Sequence, residues 1–289
     1  MQAEMSASRP RRSVLFVPAA NPRTIEKART LPCDAVVLDL EDAVGPDSKA
    51  EARAAAVAAI AAGFGGREVI LRCNGLDTEW GEEDLKAAAQ AGPDGVLVPK
   101  VRTAEDIAAC ERRLSVAPER TRLWAMIETA QGVVNLEAIA RSSYHTRLEG
   151  LVLGPNDLSA ELRLRANPDR AALLPILTGM IVAGRAHGLA VLGGAFNAFQ
   201  DEAGFEAECL QDAAFGFDGK TLIHPSQIET ANRTFSPSPE EIAWAQALVA
   251  AFAAPEAEGR GAIRLQGRMV ERLHLRDAER LLRLAQRLG

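Results

Sequence analysis

AVVLDLEDAV, residues 35–44, is an apolar run that stops abruptly on two adjacent acids, Glu41 and Asp42. Its lack of polar alternation is the pattern of a strand covered on both faces, as in a parallel sheet. The pattern recurs along the chain. EVILRCN ends on Arg72 and Asn74, GVLVPK on Lys100, TRLWAMIE on Glu128 and GLVLGPND on Asp157. VLFVPA (14–19), LAVLGGAF and FDGKTLIHP bring the strand candidates to eight.

A helix candidate follows each strand. Asn21-Pro22 supplies an N-cap and a first-turn proline for a helix to about Leu31. An Ala-rich helix spans Lys49 to Ala62, another lies around Leu85–Ala91, and Thr103 with Asp106 forms a capping box for the next. Further helices are predicted over Val133–Arg141, Leu173–His187 and Asp201–Ala214, and from near Ser226. Between the sixth strand and its helix, ELRLRANPDR (161–170) reads as an active-site loop. Eight such units make an α/β protein, a (β/α)8 TIM barrel rather than an open doubly wound sheet.

The barrel is expected over residues 1–235, with a short frayed N-terminus, and a C-terminal helical extension or lid over 236–289. Ser238-Pro239-Glu240-Glu241 opens a helix to about Ala254, PEAEGRGAI breaks it, and a final Arg- and Leu-rich helix is predicted to begin near Met269.

Hydrophobic residues make up 47% and charged residues 25% of the 289, with a net charge of -6. Together with a mean hydropathy of -0.05, this describes an ordinary globular chain with no membrane span and no basic surface for nucleic acid. Arg9, Arg11 and Arg12 are not followed by a signal-length apolar stretch, so the expected location is cytoplasmic. Cys33, Cys73, Cys110 and Cys209 lack ligand or disulfide spacing and read as buried free thiols. The sequence contains no nucleophile elbow, P-loop, dinucleotide fingerprint or zinc motif, which disfavours hydride and phosphoryl transfer.

In such a barrel the C-terminal strand ends converge on one mouth, where active sites are built. Glu128 and Asp157, ending neighbouring strands, have the chemistry to share Mg²⁺, a hard cation that keeps waters and takes further oxygens from substrate. Acids at strand ends also cap helices, and spacing leaves both readings open. Glu41 and Asp42 cannot both point inward from a strand, so one is expected at the mouth, supporting the metal from behind its ligands; the alternative is that the pair ends the strand and holds the next loop. Arg72 suits a carboxylate or a developing oxyanion, with surface pairing to Asp77 as the alternative. Lys100 reads as a solvated, acid-paired lysine rather than a Schiff-base nucleophile. Lys220 and His224 lie near the eighth strand end, where phosphate groups often bind, although His224 can equally cap the next helix.

LFVPAANPRTIEKA, DAVVLDLEDAV, LRCNGLDT, VPKV, IETAQGV, GPNDLS and GFDGKTLIHPSQI resemble, in order, the blocks of the HpcH/HpaI aldolase and citrate lyase superfamily. LDLEDAV and GFDGKTLIHPSQI look most like its citrate lyase β-subunit branch, which includes malyl-CoA and citramalyl-CoA lyases. The resemblance implies a Mg²⁺-dependent lyase that cleaves a malyl-, citramalyl- or citryl-type 3-hydroxyacyl-CoA to a 2-oxo acid and acetyl-CoA or an analogue. It makes Glu128 and Asp157 the metal ligands and turns Arg72 towards the substrate. With those ligands assigned, one acid of the Glu41–Asp42 pair is expected to orient metal-bound water or Arg72. Phe16, Lys27, Pro155, Asn156, Ile223 and His224 are drawn to substrate or coenzyme A. A homotrimer or homohexamer, or a subunit in a citrate lyase assembly, is implied. Three positions depart from the pattern. Asn21 stands where an arginine occurs in relatives, Gly193 where Asp is frequent at the mouth, and MVERLH puts Glu271 and Leu273 where the extension elsewhere carries Asp and Pro. The alternatives are a CoA-independent 4-hydroxy-2-oxo acid aldolase and a non-catalytic barrel that binds CoA esters.

Overall fold

Eight parallel strands close into a barrel in chain order in the computed structural model, which describes residues 9–165, 167 and 169–288. They are β1 (Ser13–Pro18), β2 (Ala35–Asp39), β3 (Glu68–Arg72), β4 (Gly95–Val98), β5 (Arg122–Ile127), β6 (Leu148–Leu153), β7 (Ala190–Gly193) and β8 (Gly219–Leu222). β1 pairs with β2 on one side and β8 on the other, which leaves no free sheet edge. The intervening and following helices are α1 (Pro22–Ala28), α2 (Lys49–Ala62), α3 (Gly81–Ala91), α4 (Ala104–Arg113), α5 (Ala130–Val134), α6 (Leu136–Arg141), α7 (Pro155–Glu161), α8 (Leu174–Ala186), α9 (Glu202–Phe215) and α10 (Ile228–Thr234).

The two-residue period of a strand sorts its side chains into two layers. Val14, Ala35, Val37, Ile70, Leu97, Trp124, Met126, Val152 and Leu192 pack together inside the barrel. Their neighbours Leu15, Val36, Leu38, Leu71, Val96, Leu123, Ile127, Leu151 and Val191 pack with the helices. Both faces are dry, so the strand sequences do not alternate. At the N-terminal end Arg11 lies 4.8 Å over the Trp124 ring and pairs with Glu68 and Glu149, closing the barrel floor.

Several local expectations change. The stretch predicted as one helix over Val133–Arg141 is two, α5 and α6, because Thr129 caps the first by accepting from the Gly132 N–H and the chain turns at Asn135. Helix α7 follows β6 directly, with Pro155 in its first turn, and shortens the loop expected at 161–170. Ala166 and Pro168 of that loop, and residues 1–8, which the sequence reading expected to fray, lie outside the described residues. The Thr103–Asp106 capping box forms as read.

Arg11–Phe235 form one compact unit, and the chain from Ser236 belongs to a second. In the second, α11 (Pro239–Ala253) carries the Ser238–Glu241 capping box. The final helix does not begin near Met269. Met269 lies in β10 (Arg268–Glu271), which pairs antiparallel with β9 (Ala262–Leu265), and α12 (Arg272–Leu288) follows. Gln266 and Gly267, at φ 46 and 81, make the two-residue turn whose positive φ angles match the twist of a hairpin. Val270, Ala245, Leu248 and Ala278 form the core of this unit. Among the described residues no helix is long and apolar enough to cross a membrane.

Candidate active site

Asp39 and Arg72 continue the inward series Ala35-Val37 and Ile70 by one more step of two, which carries their side chains to the C-terminal mouth. Arg72 donates from Nε to Oδ1 and from Nη2 to Oδ2 of Asp39, each at 2.6 Å. Both residues are buried. Asp39 also accepts the backbone N–H groups of Glu41 and Ala43, at 2.9 and 3.2 Å, which winds the loop back over the strand end. The second face of the guanidinium lies 4.8 Å from the Phe16 ring. Arg72 is therefore clamped on two sides, and its Nη1 is left towards the acids Glu41 (2.9 Å) and Asp42 (3.6 Å).

Glu41 and Asp42 both lie beyond the end of β2, so the expected division of the pair between two strand faces does not arise. Glu41 is buried, with Oε1 bonded to Lys100 Nζ; its Oε2 meets Arg72 without hydrogen-bond alignment. Lys100 Nζ also approaches Asp157 (3.7 Å) and Asp42 (3.9 Å). The lysine is thus acid-paired as read. Burial opposes its charge, yet Glu41 and its neighbours raise its pKa above the ordinary lysine value, which disfavours the neutral amine that Schiff-base chemistry needs.

Glu128 is the next inward residue after Trp124 and Met126 and is 1% exposed. Its Oε1 accepts the Lys100 backbone N–H at 2.7 Å, and its Oε2 is buried without a hydrogen-bond partner. Gly154 makes room for it, since a Cβ there would run into Glu128 Oε2 and Cβ. Burial, with the Glu41 charge second, pushes the Glu128 carboxyl up to about 7.

A cavity of about 320 Å³ opens over this group. Phe16, Asp39, Asp42, Arg72, Glu128, Pro155, Asn156, Asp157 and Ile223 all border it. An orphaned buried carboxylate oxygen facing a cavity beside a second carboxylate fits a divalent cation, because such an oxygen is costly unless a cation or donor meets it. Among the described residues no three His, Cys, Asp or Glu side chains gather as a metal group. A pair is what Mg²⁺ takes when waters and substrate oxygens complete its octahedron.

Other predicted residues fall elsewhere. Lys27 is exposed on α1 and does not border the cavity. His224 Nδ1 accepts the Ser226 N–H, the capping alternative, and its ring stacks 4.5 Å from Phe199. Lys220 does not face the mouth as a phosphate-binding lysine would. It is fully buried behind β8 and pairs with Glu208 (2.7 Å) and Asp212 (2.8 Å) on α9. Gly193 also faces outward, since a Cβ on it would strike Asp212 Oδ2, so its missing acid is not a loss at the mouth. Arg170, from the loop expected to serve the site, pairs with Asp212 at 2.6 Å. Glu271 is exposed on β10, where its N–H donates to His274 Nδ1.

Sequence reading missed Asp39, although counting back two from Glu41 finds it. It also missed the buried Lys49, whose Nζ donates to the carbonyls of Leu40 and Glu41 and to Asn74 Oδ1 at 2.7–2.8 Å. Asn74 in turn donates through Nδ2 to Asp84 at 2.6 Å. The Arg72–Asp77 pairing does not form; Asp77 meets Arg102.

The family model described as HpcH/HpaI aldolase/citrate lyase matches residues 12–225. The chain is 47% identical to the (3S)-malyl-CoA thioesterase of Cereibacter sphaeroides (strain KD131), covering 97% of this chain and 96% of that protein. It is 36% identical to the citrate lyase subunit beta of Escherichia coli (strain K12), over 91% of this chain and 89% of that one. The structure of CitE from Mycobacterium tuberculosis in complex with magnesium, acetoacetate and coenzyme A superposes with a TM-score of 0.79 at 30% identity, over 97% and 99% of the two chains.

Proposed function

The chain belongs to the HpcH/HpaI aldolase/citrate lyase family, and on that footing we propose that it is a Mg²⁺-dependent carbon–carbon lyase. Its substrate is a malyl-, citramalyl- or citryl-type 3-hydroxyacyl-CoA, and its products are a 2-oxo acid and acetyl-CoA or an analogue. The observation that carries this reading is the orphaned Glu128 Oε2 beside Asp157 on the cavity wall. Glu128 and Asp157 would hold the ion. When bound, Mg²⁺ would supply Lewis-acid stabilisation of negative charge developing on substrate oxygens.

Cleavage breaks the bond between C2 and C3. The C3 hydroxyl loses its proton and its oxygen becomes the oxo group of the 2-oxo acid, the bonding pair passes to the thioester enolate, and one proton returns at C2, which balances the one lost. Arg72 borders the cavity, and its guanidinium stabilises that enolate oxygen. Asp39 and Phe16 hold the guanidinium in place, so no reorganisation is needed as charge develops. Glu41 and Asp42 orient Arg72 and Lys100. Phe16, Pro155, Asn156 and Ile223 line the approach for the acyl-CoA, and Lys27 and His224 contribute outside the cavity wall. Glu271 is assigned, on the resemblance, to a neighbouring subunit's active site; wild-type activity in Glu271→Ala removes it from catalysis. The proposal includes a cytoplasmic homotrimer or homohexamer, which light scattering tests.

The identity to a (3S)-malyl-CoA thioesterase favours a second reading, hydrolysis of the same class of thioester. Mass spectrometry of malyl-, citramalyl- and citryl-CoA reactions, with Mg²⁺ and with EDTA, distinguishes them. A lyase forms a 2-oxo acid and retains the thioester in acetyl-CoA, whereas a thioesterase releases free CoA and the intact hydroxy acid. EDTA-insensitive turnover would overturn the metal-dependent reading.

A further inference from the structure

Lys100 adopts φ 51, in the left-handed region where glycine is the unstrained residue. It performs two separable tasks there. Its backbone N–H holds Glu128 Oε1 at 2.7 Å, leaving only Oε2 free. Glycine would perform that task without strain. The presence of a long cationic side chain at such a position therefore points to a use for the ammonium itself.

That ammonium stands among acids from the loop after β2 and from the first turn of α7. Its bond to Glu41 is tight, while its approaches to Asp157 (3.7 Å) and Asp42 (3.9 Å) are charge contacts longer than a hydrogen bond. Asp39, Glu41, Asp42, Glu128 and Asp157 place five carboxyls at the mouth; Arg72 and Lys100 face them, and the buried Lys49 lies behind, bonded to the Leu40 and Glu41 carbonyls. Arg72 is committed to Asp39 and buried, so Lys100, with its side chain 35% exposed, is the cation with room to move. A divalent ion at Asp157 would meet the ammonium as a like charge a few ångströms away.

We propose that Lys100 is a tethered cation that competes with the divalent ion for Asp157 and yields that place when a 2-oxo acid carboxylate arrives to receive the displaced ammonium. This rests on the metal reading of Glu128 and Asp157. Metal alone then binds weakly, and metal with a 2-oxo acid binds cooperatively; by linkage each strengthens the other equally. Lys100 is a positioning residue, acting through Asp157 and Glu41.

The test is calorimetric titration of Mg²⁺ into the full chain, with and without pyruvate, for wild type and for Lys100→Gly, Lys100→Gln and Glu128→Gln. Lys100→Gly keeps the N–H to Glu128 and suits the left-handed backbone, while Lys100→Gln keeps side-chain length without charge. Both are expected to bind Mg²⁺ about tenfold more tightly than wild type in the absence of pyruvate, and to lose most of the pyruvate enhancement. Equal or weaker Mg²⁺ binding in both, with binding abolished in Glu128→Gln, overturns the role of Lys100 and leaves the metal site standing. Wild-type Mg²⁺ binding in Glu128→Gln overturns the metal site itself.

Discussion

Arg72 and Asp39 form a two-point ion pair across adjacent strands, with both bonds at 2.6 Å and both side chains buried. β2 and β3 pair in the register Asp39↔Arg72, so the clamp is set by the sheet itself. An arginine held this way is aimed before substrate arrives.

Lysine cannot reproduce that planar fork. Arg72→Lys should lower turnover by about 10²–10³, the scale for removing one aligned oxyanion donor. Steady-state kinetics with near-normal circular dichroism would check it, and a loss below tenfold would remove Arg72 from the transition state.

Asp39→Asn leaves a buried guanidinium with half its partner. Breaking a buried pair costs about 3–5 kcal/mol, so urea denaturation should register a loss of that order together with reduced turnover. A fully stable, fully active variant would mean that the pair is dispensable.

Gly154→Ala places a methyl group against Glu128. Because Glu128 is enclosed and cannot swing outward, the variant should lose Mg²⁺ affinity while remaining folded. Titration calorimetry beside a thermal melt separates the two effects.

Glu128 also predicts a pH dependence. Its pKa rises from an ordinary 4.5 to about 7 on folding, so the folded chain binds the proton more tightly. Its contribution favours the folded state below pH 4.5 and is lost progressively between 4.5 and 7, levelling off above. Mg²⁺ requires the carboxylate, so its affinity should rise with pH up to about 7 and then flatten. Glu128→Gln should abolish the binding and raise the melting temperature of the metal-free chain at pH 8.

Lys220 gives the contrasting case. Lys220→Met strands part of the Glu208–Asp212 charge in a dry site and should cost about 3–5 kcal/mol. It lies behind the sheet, so the Michaelis constant for acyl-CoA should not change. A large rise in that constant would restore the lysine to the ligand.

Much of the architecture was legible without coordinates, for a local reason. Runs buried on both faces differ in sequence from half-exposed ones, and the caps at Thr103–Asp106 and Ser238–Glu241 bond within one helical turn. Arg72 at the end of β3 and Glu128 just past β5 were legible at the mouth too, because a barrel gathers its strand ends; Asp157, read as a strand end, reaches the same cavity from the first turn of α7. The hairpin at Gln266–Gly267 was hidden by the Arg- and Leu-rich stretch that follows it. Its strands are four residues each, too short for a period to stand out.

AVVLDLEDAV thus determined by itself that a buried strand would deliver acids to a mouth. Which acid would do what was decided only when the barrel closed. Asp39 meets Arg72 through a strand register linking residues 33 apart, Glu41 meets Lys100 across 59, and Gly193 and Lys220 turn away from the cavity because the pleat sends alternate side chains to opposite faces. Composition and caps act over a few bonds, whereas charges at a site are paired by the closure of the whole sheet.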